Sequence, residues 1–170
     1  MTDYTFPVII GVIFGMAARL YMLRTDYRQY PTYIHGQVIH IALGFIASGL
    51  GAIIMPALIQ EEFTAITFLT LAATQFRDVR NMERNTLTQM DSYELVSRGS
   101  TYIEGIAIAF ESRNYIAILT ALITTTACIF FSLVVGTVVG SILLFFHGKA
   151  INVRQSIKGY RQHSKRGTSL

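Results

Sequence analysis

Hydrophobic and polar positions divide this chain into blocks far longer than a soluble fold tolerates. Apolar runs extend from about residue 6 to 23, from Val38 to Ile59, from Phe63 to Phe76 and from Tyr115 to Phe146. The second holds one ionisable residue, His40, and matches the roughly 20 residues that cross a hydrocarbon core. The third is short for a span and carries Thr64, Thr67, Thr70 and Thr74, so its helix is expected to continue past the apolar boundary, through Arg77 to Arg84. The last has the opposite problem. As one helix it would measure about 48 Å against a core of about 30 Å, so two spans turning near Thr124 to Thr126 or just beyond fit it better. The pattern predicts an all-α, polytopic helical bundle of about five spans, near 6–23, 38–59, 63–76, 114–130 and 131–146. A helical loop of residues 77–113 interrupts it and a basic tail of residues 149–170 follows.

Small residues recur at helical spacing within these runs. Gly11 and Gly15, then Gly44, Ser48 and Ala52, then Ala47 and Gly51, and finally Ser132, Gly136 and Gly140 form stripes that let helices approach closely where lipid gives no hydrophobic drive. Such stripes serve contacts within one chain or in an oligomer equally well. Pro56 is expected to kink or end the second helix. Arg19, near the end of the first run, is expected to snorkel to the head groups beside Arg24 and Arg28, a buried ion pair being the alternative. Tyr27, Tyr30 and Tyr33 around Pro31 read as interfacial anchors. His35 and His40 flank the second run with no carboxylate or cysteine at ligand spacing, so no metal is expected.

Charge then orients the bundle. The chain has 14 Lys and Arg against 10 Asp and Glu, a net charge of +4. Because the basic residues flank apolar runs, membrane orientation explains them and nucleic acid is not an expected partner. With five spans and the N-terminus outside, all 14 Lys and Arg fall on the cytoplasmic side, leaving Asp3, Glu61 and Glu62 outside. The central loop and the tail, with Lys149, Arg154, Lys158, Arg161, Lys165 and Arg166, are then cytoplasmic, and the tail suits anionic lipid. The first run lacks a basic residue before it and a cleavage site after it, and is read as a retained span. Cys128 is the only cysteine, which excludes an intramolecular disulfide.

Candidate chemistry concentrates in the central loop. Arg77, Arg80 and Arg84 share one face of a continued third helix, with Asp78 and Asn81 beside them, and with Arg98 they are candidate partner-binding groups. Either they touch lipid phosphate at a solvated helix end, or they recognise a carboxylate or phosphate by the guanidinium fork. Asp91 to Glu94 and Thr101 to Glu104 both have capping-box form, which predicts two short helix starts and offers a purely structural role for Glu104. Glu104 and Glu111 lie about 10 Å apart along a helix, too far to share a proton. An acid–base role for Glu104 would need a partner such as Asp78. Ser97 and Ser100 lack a GxSxG context, and no Walker A, HExxH or GxGxxG motif occurs, so no cofactor is expected.

The hexapeptide from Tyr102 to Ala107 reads YIEGIA, and the sequence resembles the YIEGIA family of endospore-forming Firmicutes. The likeness extends to DYRQYPTYIHG, QFRDVRNMERNTL and FESRNY, covering most of the chain to about Gly148. The resemblance implies an integral membrane protein of sporulating cells, with a role as a membrane-associated protease acting on a cytosolic client. On that reading Asp78, Glu83, Glu104 and Glu111 would supply acid or base groups, and Arg77, Arg80 and Arg98 would orient the client. No nucleophile is assigned. The family pattern also implies a soluble region after the last span, so this sequence reads as a short or truncated member. A non-enzymatic scaffold or regulatory binding partner is the competing reading, and a small transporter is poorly marked by the few ionisable groups within the runs.

Overall fold

The computed structural model describes residues 3–26, 34–93 and 99–149. The expectations for Arg28, the three connector tyrosines, Ser97, Arg98 and the tail from residue 150 lie outside the described residues, as do the side chains of Arg24 and His35. Five helices and no strand occur among them: α1 (Thr5–Asp26), α2 (Ile34–Ile59), α3 (Phe63–Asp91), α4 (Ser100–Phe130) and α5 (Leu133–Lys149). Three segments are long and apolar enough to cross a membrane, Thr5–Leu23, Val38–Ile59 and Ser100–Phe130.

Local chemistry fixes the ends. Asp3 accepts the Thr5 backbone N–H at 3.0 Å where α1 begins. Pro56 lies inside α2 and does not end it. The helix closes instead with Glu61 in the left-handed region at φ 55° and the Glu62 N–H bonded to the Ala57 carbonyl at 3.0 Å. The final apolar run breaks at Phe131–Ser132, where the Ser132 hydroxyl accepts the Val135 N–H at 3.2 Å and starts α5.

The contacts across the helices set their directions. Gly11 faces Thr125 and Ala52, Gly15 faces Ser48 and Ala121, and Gly44 faces Arg19. Thus α1 runs antiparallel to both α2 and α4. Phe76 of α3 buries itself against Ala47 and Ala117, ringed by Leu43, Leu50 and Ile118. α5 returns antiparallel to α4, with Gly136 at Cys128, Gly140 at Phe14 and Gly148 under the Tyr21 hydroxyl. Direction therefore alternates at each of the four connections. α1, α2 and α4 form the tight core, and α3 packs chiefly on α4.

Two local expectations are corrected here. Neither capping box starts a helix, because Asp91 is the last residue of α3, and α4 begins at Ser100 behind Gly99 with no side-chain cap. Gly99 adopts φ 87° and ψ 154°, a conformation only glycine enters readily, which fixes the start one residue ahead of Thr101. Asp91 instead accepts the Gly99 N–H at 3.4 Å, tying the end of α3 to the start of α4. Arg19, expected at the head groups, is fully buried, its stem lying against Gly44 and its guanidinium 5.3 Å from the Phe110 ring centre.

A Cβ at Gly51 would run into the Ile118 backbone, whereas nothing lies within 4 Å of one at Gly49. Gly51→Ala should therefore destabilise the purified protein by about 1–3 kcal/mol. Gly49→Ala should leave it unchanged or about 0.5–1 kcal/mol more stable, both read from thermal unfolding in one detergent.

Candidate functional site: an ion-paired seam between α3 and α4

α3 turns one stripe toward α4: Phe76 is buried, and Arg80, Glu83, Leu87 and Met90 follow it half-buried at spacings of three and four. The facing stripe of α4 buries Ile103, Ala107 and Phe110, with Glu104 and Glu111 on its flank. Where the apolar half of α3 gives way to its polar half, Arg80 fills the gap. Its Nη1 donates to Glu111 Oε2 at 3.1 Å and its Nη2 donates to Glu104 Oε1, while Arg84 Nε reaches Glu104 Oε2 at 3.2 Å. A planar fork with diverging donors can bridge two carboxylates set two turns apart, which a point-charge ammonium does poorly.

Exposure separates the members of the network. Side-chain exposure is 28% for Arg80 and 16% for Glu111, against 57% for Arg84. The Arg80 contacts are therefore the less screened, and the Arg84 contact is closer to an ordinary surface pair. The bond from Glu104 raises the Arg80 pKa, aided by the charges of Glu111 and Glu104 and opposed by partial burial. A cation raised in this way contributes its stabilisation below the ordinary arginine range for as long as its two partners carry their charges, hence throughout physiological conditions.

The remaining candidates lie elsewhere on α3. Arg77, Asp78 and Asn81 are exposed, and Asp78 sits roughly 200° round the helix from Arg80, away from the Glu104 contact. Glu83 lies half-buried on the α4-facing stripe. Among the described residues no group of three His, Cys, Asp or Glu could hold a metal ion.

A second polar layer was not legible as one. Arg19 Nη2 lies 3.4 Å from His40 Nδ1, and His40 meets the Phe110 ring edge-on at 4.7 Å between centres. One turn further along α4, Asn114 is fully buried. The missed signal was pairwise. Arg19, the one charged residue of its run, faces a glycine on α2 that gives its stem room.

These features define a class: an all-helical protein with several helices apolar enough for a membrane and a hydrophilic helical hairpin held by arginine–glutamate pairs. The chain belongs to the YIEGIA family, whose profile, described as YIEGIA protein, matches residues 7–162. It is 84% identical over 133 residues to the uncharacterized protein YphB of Bacillus subtilis (strain 168), a match covering 78% of this chain and 45% of that protein. The chain thus spans less than half the length of this curated relative. No solved structure matches it.

The seam makes a pairwise prediction. In denaturant unfolding, Arg80→Ala and Glu111→Gln should each destabilise the protein, and their effects together should fall short of the sum. Arg77→Ala combined with Glu111→Gln should be additive. Additivity in the first pair would mean that Arg80 and Glu111 do not interact.

Proposed function

We propose that this chain is a multi-pass membrane protein of five spans whose α3–α4 hairpin projects into the cytoplasm and captures a cytosolic protein there. The alternating helix directions support five spans. So does charge, because with the N-terminus outside every Lys and Arg of the sequence falls on the cytoplasmic side. By helix register, Arg77, Lys149, Tyr21 and Tyr115 come within about a turn of one another in depth, as expected of residues at one membrane boundary. α4 from Ser100 to Arg113 then extends about 20 Å beyond that boundary, alongside the polar half of α3.

The observation that carries capture is the division of α3, with the turn that follows it, into faces. The best-placed carboxylates, Glu104 and Glu111, are engaged by Arg80, and Arg84 also holds Glu104. Meanwhile Met82 and Tyr93 stand 68% and 90% exposed beside Asp78, Asn85 and Gln89. An exposed methionine and tyrosine amid polar groups suit a protein interface, where flexible and aromatic anchors supply much of the affinity. Proteolysis, implied by the family resemblance, needs an acid–base group open to a peptide bond; Glu104 and Glu111 are held by guanidinium nitrogens, and the exposed Asp78 faces away from them. In sporulating cells the seam then serves to hold a docking face at a fixed height along α4.

Cross-linking and co-purification from sporulating Bacillus cells tests this. A cytosolic protein should be recovered with the wild type and at least tenfold less with Met82→Arg and Tyr93→Ser combined, at equal chain level and unchanged thermal unfolding. Equal recovery, or none, would contradict capture. A cytosolic protein that disappears with the wild type and persists with Glu104→Gln would replace capture by proteolysis.

A further inference from the structure

α5 carries a feature that neither the seam nor the docking face uses. An open, shallow groove of about 360 Å³ lies on the exposed face of this one helix, lined by Thr137, Val138, Ser141, Ile142 and Phe145. Two of these residues are polar by name only. The Thr137 hydroxyl donates to the Val134 carbonyl and the Ser141 hydroxyl to the Thr137 carbonyl, each at 2.8 Å, so both present hydrocarbon outward. Val138, Ile142 and Phe145 are 52%, 49% and 72% exposed, and the same face continues through the i+4 step to Lys149. At that end Gly148 brings α5 under the Tyr21 hydroxyl, which sits over the position a Cβ would take at 3.0 Å. Lys149 and Tyr21 are both exposed there.

We propose that this groove is a site for one anionic phospholipid of the inner leaflet. An acyl chain lies along Val138, Ile142 and Phe145, and the head-group phosphate meets the Lys149 ammonium and the Tyr21 hydroxyl. The dimensions agree. The eleven steps from Val138 to Lys149 rise about 16 Å, close to half of a hydrocarbon core of about 30 Å, so the cation stands one leaflet's depth from the upper end of the groove. The charge agrees as well, because the ammonium of Lys149, one residue beyond the Gly148 that packs under the Tyr21 hydroxyl, complements a phosphate diester. The site rests on the five-span reading, since that reading puts Lys149 at the inner surface.

The test is native mass spectrometry of the whole chain in nanodiscs of phosphatidylcholine containing a minority of phosphatidylglycerol. The wild type should retain phosphatidylglycerol in preference, Lys149→Gln should lose roughly fivefold of that preference, and Lys149→Arg should keep it. Val138→Trp, which fills the groove and leaves every charge in place, should also lower it. A variant with Arg154, Lys158, Arg161, Lys165 and Arg166 all changed to Gln controls for the tail. Preference that survives Lys149→Gln and vanishes in the tail variant overturns the site, as does equal retention of the two lipids by the wild type. Failure of the wild type to enter phosphatidylcholine discs overturns the membrane reading itself, and the site with it.

Discussion

The fold depends on how closely α1, α2 and α4 approach. A Cβ at Gly11 would collide with the Thr125 side chain, one at Gly15 with Ser48 and Ala121, and one at Gly51 with the Ile118 backbone. In the proposed membrane setting apolar side chains would gain nothing from leaving water, so contact of this kind is what would hold the helices together. The close approach also sets the register. It puts Arg19 against Gly44, and from there the guanidinium reaches the Phe110 ring and His40. Because the glycine stripes of α1, α2 and α5 all meet partners within the chain, they supply no argument for an oligomer.

α3 is held differently. Phe76 anchors its apolar half between Ala47 and Ala117, but beyond that point attachment to α4 passes to Arg80 and its two glutamates. Packing is thin and the contacts are partly solvated, which places this hairpin toward the less stable end of the molecule. A bridge of this kind fixes the relative height of two helices more than it adds stability, since a guanidinium shared by two carboxylates two turns apart tolerates little sliding. The outward faces of α3 thereby keep a defined position above the core.

Long-range order in the sequence was legible where composition decides it. The apolar runs mark the helices, and the excess length of the final run required the break that falls at Phe131–Ser132. The local motifs misled because they are satisfied by short-range pattern alone. Thr101 and Glu104 have the spacing of a capping box, yet the left-handed glycine at 99 starts the helix first and Glu104 turns to an arginine 24 residues upstream. Helical spacing put Arg77, Arg80 and Arg84 on one face as candidate binding groups, and the structure turns Arg80 to Glu104 and Glu111 while leaving Arg77 exposed. Helical periodicity groups residues on a broad face but does not tell which edge of it another helix will cover. Arg19 shows the same limit within the bundle, because a charge near the end of a run can snorkel or turn inward, and only the small residue opposite decides between them.

Helix direction is what tests the proposed topology, in which five alternating spans would put the α3–α4 hairpin on one side and the α2–α3 turn on the other. The direct measurement is labelling of single cysteines in a Cys128→Ala background with a membrane-impermeant maleimide on intact cells. Cysteine at Glu61 should react at once, and cysteine at Ser92 only after the cells are opened. Labelling of both positions from the same side would contradict the arrangement and remove the basis for a cytoplasmic docking face.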